Sequence, residues 1–191
     1  MKRIIFVGKS AAGKDHARMV CQQWFEMQYA VSYTTRPPRD GEVDGLDYFF
    51  LTDEQFIEKI DANEWYEFVA FNGWYYGTSR DQMKAHNSVF IMTPEGMSCL
   101  APSDRKESLV IYLDIDEGIR TARMQQRGGN ADSIERRIAA DRVDFADYTD
   151  YDVKISDPYY NIQDLHNTIG SHLPLPTINF LSTSENFLPT W

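Results

Sequence analysis

Cysteine, basic charge and long apolar runs are all scarce in this chain, and each scarcity removes a class of protein. Only 2 cysteines occur in 191 residues, Cys21 and Cys99. They cannot build a disulfide framework and have no metal-ligand spacing, so two reduced, buried thiols in a reducing cytosol are expected. Lys and Arg number 19 against 29 Asp and Glu, a formal net charge of −10. A polyphosphate partner demands an extended basic face, which argues against polymeric DNA or RNA; a small anionic ligand needs only a local cluster. No stretch approaches the roughly 20 apolar residues of a membrane span, and Lys2 to Val7 is too short for a signal peptide and lacks a cleavage site. The expectation is a cytoplasmic protein with no membrane partner. Repeats and low-complexity tracts are also missing. What remains is ordinary and foldable: 42% hydrophobic and 14% aromatic residues can bury a real core, in one domain with small inserts.

The order of elements predicts an α/β fold. Lys2 to Val7 is a short apolar run ending at Gly8, the pattern of a buried parallel strand. Ala17, Val20, Cys21, Trp24 and Met27 then line one face of a helix from about Lys14 to Gln28. Strands are expected at Ser88 to Met92, Ser108 to Ile115 and Asp152 to Ser156, and helices near 95–101, 116–127, 133–147 and 160–171. That alternation describes a parallel sheet wrapped on both faces, three layers in all. Between about Thr34 and Thr78 the pattern changes. Asp47 to Leu51, a helix start at Thr52 with capping-box spacing, and Glu64 to Phe71 joined by Asn72-Gly73 to Trp74–Tyr76 predict a small antiparallel insert with one helix. From His172 onward, Pro174, Pro176 and Pro189 stand among scattered apolar residues without a period.

Chemistry concentrates first after the opening strand. Gly8-Lys-Ser10-Ala11-Ala12-Gly13-Lys14-Asp15, followed by His16, runs from a predicted strand into a predicted helix, the context that makes a Gly-x-x-x-x-Gly-Lys loop a phosphate cradle. Glycines let the backbone wrap an anion, the helix N-terminus faces it, and Lys14 reaches the outer phosphates. Position 15 usually carries a hydroxyl that ligates Mg²⁺; the carboxylate of Asp15 either takes that role or favours the helix dipole. Such a loop is common to GTPases, ATPases and small-molecule kinases, so the acceptor must be read elsewhere. Arg36 and Arg39, three apart in a Pro-stiffened stretch, suit a dianionic phosphate, with Tyr48, Tyr76 and Thr78 as further hydroxyl donors. Between Arg120 and Arg142 lie 6 arginines against 3 acids, the main positive cluster of an acidic chain. Arg123 and Arg127 share a helical face, Arg127-Gly-Gly-Asn130 is a flexible break, and Ile134 and Ile138 are expected to bury the next helix, which presents Arg137. A glycine-hinged arginine segment is what a closing lid requires. Arg120, Arg136 and Arg142 read as solvated charges with acid partners.

In these motifs the chain resembles the guanylate kinases. Ser32-x-Thr-Thr-Arg36-x-Pro-Arg39-x-Gly-Glu-x-x-Gly-x-Asp-Tyr48 and the Glu67 to Thr78 segment ending Tyr-Tyr-Gly-Thr follow the family pattern, and the likeness runs over about residues 2–170. It implies a P-loop nucleoside monophosphate kinase with ATP and Mg²⁺. Its core is 1–33 and 81–171, its nucleotide-binding insert 34–80, its arginine-rich lid 120–142 and its tail 172–191. Arg36, Arg39, Tyr48 and Tyr76 hold the acceptor phosphate; Ser32, Glu67 and Thr78 face the base; Lys14, Arg123, Arg127 and Arg137 act on the transferred group. Glu67 favours guanine, whose N1–H and 2-amino group are adjacent donors, GMP or dGMP being the implied acceptor. After the strand ending at Met92, where the family carries Asp-x-Asp, this chain has Thr93-Pro94-Glu95-Gly96. Other deoxynucleoside monophosphates or ribose 1,5-bisphosphate therefore stay open as acceptors, as does a protein-binding module without catalysis. The resemblance is compatible with a monomer or a homodimer.

Overall fold

The computed structural model describes residues 3–71, 73–127 and 133–172. Asn72 of the expected hairpin, the Gly-Gly break after Arg127 and the tail from 173 lie outside the described residues. A five-stranded sheet forms the centre: β1 (Arg3–Gly8), β2 (Gln28–Tyr29), β7 (Ser88–Met92), β8 (Ser108–Leu113) and β9 (Val153–Ile155), in the order β2-β7-β1-β8-β9. Every pairing in it is parallel. All six residues of β1 are buried, because successive side chains point to opposite faces and both faces are covered. Ile4 and Phe6 join a core with α1 (Lys14–Phe25) and α8 (Ile162–His172). Ile5 and Val7 join another with α3 (Arg80–Lys84), α4 (Pro94–Ser98) and the aromatic group Phe145, Tyr148 and Tyr151. These are the three layers the alternation predicts.

The second sheet comprises β3 (Tyr33–Thr34), β4 (Phe49–Phe50), β5 (Trp65–Phe71) and β6 (Trp74–Ser79), ordered β4-β3-β6-β5, with α2 (Asp53–Asp61) between β4 and β5. The capping box at Thr52 forms as expected, its hydroxyl accepting from the Gln55 N–H while the Gln55 side chain accepts from the Thr52 N–H. Phe56 of α2 stacks on Trp65 and Tyr75 at centroid distances of 4.3 and 5.1 Å, which joins the helix to its sheet. The remaining helices are α5 (Pro102–Lys106), α6 (Glu117–Arg127) and α7 (Ile134–Asp144).

Several expectations need correction. The insert is mixed and not wholly antiparallel, since β3 and β4 pair in parallel. Helix α1 stops at Phe25, because Glu26 takes a left-handed conformation and turns its N–H back to the Cys21 carbonyl. Phe25, not Trp24, then completes the buried face, Trp24 being 38% exposed. The helix expected near 95–101 is shorter, ending at Ser98, and a second short helix follows it at Pro102–Lys106; each is started by proline, Pro94 and Pro102. Cys99 is exposed, while Cys21 is buried, which pushes its thiol up to about 12. Ile134 and Ile138 are only half-buried, and the buried residue of α7 is an acid, Asp141.

β1 is the point at which the strand order reverses, and ligands of such sheets bind beyond the carboxyl ends of the strands at that point. The chain leaves β1 through Gly8, where a methyl group would meet the Leu113 carbonyl oxygen of β8 at 2.9 Å. Gly8→Ala is therefore expected to push β1 from β8 and to destabilise the fold by about 1–3 kcal/mol. Urea unfolding checks this, and an unchanged midpoint would show that the two strands yield without strain.

Candidate active site

The phosphate loop spans the gap from β1 to α1. Ala11 has φ 57° and Gly13, the N-cap of α1, has φ 100°; left-handed backbone at two places lets the loop curl back on itself. No side chain caps α1, so its first N–H groups are left for an anion. Lys14 folds over the loop, donating to the carbonyls of Gly8 and Lys9 at 2.6 and 3.0 Å. Burial lowers its ammonium to about 8, against the pull of Asp15 and Asp141. Ala12 is wholly buried beneath the loop, and the Tyr160 hydroxyl donates to the Gly13 carbonyl at 3.2 Å. His16 lies 6.1 Å from the Tyr160 ring, its pKa lowered by burial and by Arg123.

Across from the loop, a cleft of about 340 Å³ runs to the second sheet. It brings together Gly8, Ser10, Ala11, Lys14 and Asp15 on one side and Ser32, Arg36, Arg39, Tyr48, Glu67 and Tyr76 on the other, with Arg127 and Arg137 along the edge. Ala12, Gly13, His16, Thr78 and Arg123 stand behind this lining. A wider groove, about 610 Å³, lies beside β2 and α3, and none of these residues line it. The smaller cleft is the candidate because cationic groups converge there.

Glu42, which sequence reasoning left out, organises the arginines. Its carboxylate accepts from Arg36 Nη2 at 2.8 and 2.9 Å and from the Arg39 N–H at 2.7 Å. Arg36 is thereby held 5% exposed, 5.4 Å from the Tyr48 ring, while the Arg39 side chain stays 37% exposed at the mouth. The spacing of Glu42, three after Arg39 and six after Arg36, was the available signal. Tyr48 meets Tyr76 edge-on at 6.1 Å, and burial raises the Tyr48 phenol above its usual range, so it stays a hydrogen-bond donor.

Glu67 sits on β5 opposite Thr78 of β6 and is 9% exposed. Burial raises its carboxyl above the ordinary 4.5, opposed by hydrogen bonds from Thr78 and aided by the charge of Glu95. Its approach to α4 depends on Gly96, where a methyl group would lie 3.2 Å from Glu67 Oε2. Thr93 lines the cleft at the start of α4, its hydroxyl accepting from the Gly96 N–H at 3.1 Å.

The arginine-bearing helices meet the loop from behind. Arg123 donates to the Ala11 and Pro158 carbonyls at 3.2 and 2.7 Å, tying α6 to the loop and to the segment after β9. Arg142 pairs with Glu117 at 2.6 Å on the surface, as expected. Arg120 does not: it is 1% exposed and pairs with Asp141, for the helix that carries it turns that side to the protein. Neither partner stood out as a site residue, although Asp141 follows Arg137 by one helical turn.

The chain has relatives in sequence and in fold. The family model described as guanylate kinase matches residues 1–166. A guanylate kinase of Syntrophus aciditrophicus (strain SB) is 34% identical over 158 residues, 80% of this chain and 76% of the relative. Another, of Thermosynechococcus vestitus, is 33% identical over 159 residues, 80% and 83% of the two chains. A crystal structure of guanylate kinase from Anaplasma phagocytophilum has a TM-score of 0.65 over 90% of this chain and 84% of that one. At 19% identity, that likeness speaks for the fold alone.

The raised pKa of Glu67 carries a stability consequence. The folded protein binds this proton more tightly than the unfolded chain, so stability is lost as pH rises above 4.5 through the folded value. Glu67→Gln removes that loss. In urea unfolding of the ligand-free protein, the variant should gain on wild type toward neutral pH, and the gap should close below 4.5; a gap that widens on acidification would contradict the buried, strained carboxylate.

Proposed function

The chain belongs to the guanylate kinase family, and from that membership we propose that it moves the γ-phosphoryl group of ATP to GMP or dGMP, giving ADP and the diphosphate. The observation that carries this reading is the meeting, across one cleft, of the Lys14 loop with Arg36, Arg39, two phenols and a nearly buried glutamate. A phosphate loop alone specifies no acceptor; with this opposite wall the acceptor is a phosphomonoester bearing a base.

Arg36 and Arg39 grip the acceptor phosphate, with Tyr48 and Tyr76 donating from the side. Glu67 accepts from guanine N1–H and the 2-amino group, and Ser32 and Thr78 supply hydroxyls. Adenine offers an acceptor at N1, and a buried carboxylate facing it stays partly unpaired, at a cost of about 1–3 kcal/mol. On the donor side the loop from Gly8 to His16 wraps the phosphates and Lys14 reaches the outer ones. Arg127 and Arg137 stabilise charge that spreads over the transferred group, while Arg123 supports the loop from behind through the Ala11 and Pro158 carbonyls. No general base is needed, because the acceptor phosphate is already ionised near neutral pH. In this reading 34–80 is the acceptor-binding insert and 120–142 the lid.

The chain's donors fit Mg²⁺. The Asp15 side chain is 64% exposed beside the loop, 3.4 Å from Arg18 Nε, and no group of three His, Cys, Asp or Glu residues forms a metal cage among the described residues. That suits an ion held by one carboxylate, waters and phosphate oxygens. When bound, Mg²⁺ offsets negative charge on the donor phosphates.

A coupled ADP-release assay tests the reading with GMP, dGMP, AMP, CMP, dTMP, dUMP and ribose 1,5-bisphosphate offered in parallel. Turnover confined to GMP and dGMP and lost in Lys14→Ala is the expected outcome; turnover of the other acceptors, or of none, contradicts it. Arg39→Ala should raise the acceptor KM roughly 10- to 100-fold and leave the ATP KM nearly unchanged, a charged hydrogen bond being lost on one side only. Because the Lys14 ammonium of the empty loop lies at about 8, below its ordinary 10.5, phosphate binding restores its proton. ATP affinity, measured by calorimetry, should fall as pH rises from about 8 toward 10.5, and Lys14→Met should abolish that slope.

A further inference from the structure

One charged pair lies almost wholly inside the molecule, where α6, α7 and the phosphate loop meet. The side chains of Arg120 and Asp141 are 2% and 5% exposed, with Nη1 and Oδ2 2.8 Å apart. Arg120 also donates Nε to the Ile115 carbonyl at 3.0 Å and Nη1 to the Ser10 carbonyl at 3.2 Å. The Asp141 carboxylate accepts the Ser10 N–H with both oxygens, at 3.1 and 3.0 Å, and the Ser10 hydroxyl at 3.1 Å. Every polar group of Ser10 is thus engaged by two residues more than a hundred positions away in sequence. Ser10 and Asp141 both line the cleft.

Fold stability gives little reason for such a pair, since well-packed apolar residues in place of a buried ion pair are often neutral or stabilising. Its location offers one. Arg137 precedes Asp141 by one turn of α7, and Arg123 and Arg127 follow Arg120 on the same side of α6, so the pair stands at the root of both arginine-bearing helices. A catalytic dipole works best when it is already oriented. A bare carboxylate beside a polyphosphate would repel it, and Arg120 cancels that charge.

We propose that Arg120 and Asp141 are positioning residues for phosphoryl transfer. Asp141 anchors the loop by accepting the Ser10 N–H and hydroxyl and docks the Arg137-bearing helix on it, while Arg120 neutralises Asp141 so that the donor can enter. Loop and lid root then form one preorganised unit. This inference rests on the kinase reading above.

The test compares Asp141→Asn, Arg120→Met, Arg120→Lys and the double variant Arg120→Met/Asp141→Leu for urea stability, ATP affinity by calorimetry, kcat and both KM values. Arg120→Met, which leaves the acid uncompensated, should weaken ATP binding at least tenfold, and Arg120→Lys, which keeps the charge, should recover most of it. Asp141→Asn should lower kcat at least tenfold with the GMP KM within twofold of wild type. The double variant should regain wild-type stability and ATP affinity yet keep the low kcat. A stable double variant with wild-type kcat overturns the proposal, as does a rise in GMP KM equal to that for ATP. Should the double variant fail to fold, the Asp141→Asn kcat and the Met-versus-Lys contrast at position 120 decide alone. If wild type shows no turnover, the kinase reading falls, and ATP affinity across the position 120 variants still decides whether the pair prepares the loop.

Discussion

A triphosphate and a phosphomonoester must be held side by side by a protein whose own net charge is −10, and this electrostatic demand is the one that the cations of the candidate cleft meet. Cations are gathered from three separate parts of the chain: Lys14 from the loop, Arg36 and Arg39 from the second sheet, and the arginines of α6 and α7. Three of the acids that stand among them are each paired with an arginine. Glu42 is bound to Arg36, Asp141 to Arg120 and Asp15 to Arg18. Those pairs lower the repulsion an incoming anion meets and, where buried, hold the guanidinium groups in place.

Burial sharpens the same chemistry. Lys14 is pushed down to about 8 and Glu67 is pushed up, both by loss of water around the charge. Under the proposed function, phosphate supplies a counter-charge for Lys14 and a base with paired N–H donors supplies partners for Glu67. Gly96 permits this for Glu67 by leaving room beside its carboxylate, as Gly8 permits the loop to pass β8.

Much of the fold was legible because it follows local rules. Strands at 3–8, 88–92 and 108–113 are apolar runs of β-formers, and the Thr52 capping box needs only its own turn. The phosphate loop was legible for a similar reason, its glycines and lysine acting on neighbours in sequence. The end of α1 was placed too late, at about Gln28, because a left-handed Glu26 stops the helix at Phe25, and no periodicity announces such a stop. The parallel pairing of β3 and β4 depends on contacts across the 14 residues between Thr34 and Phe49, which alternation within either strand cannot report.

The sequence by itself determined the α/β alternation, the loop and the arginine and glutamate motifs of the family, since each is a pattern of residue types at short range. Tertiary structure alone decided which charges face a ligand and which face one another. Arg120 and Arg142 look alike on a helix; one is buried against Asp141 and the other is paired with Glu117 in solvent. The difference is the dielectric and the partner each meets after folding, and both are set by residues distant in the chain.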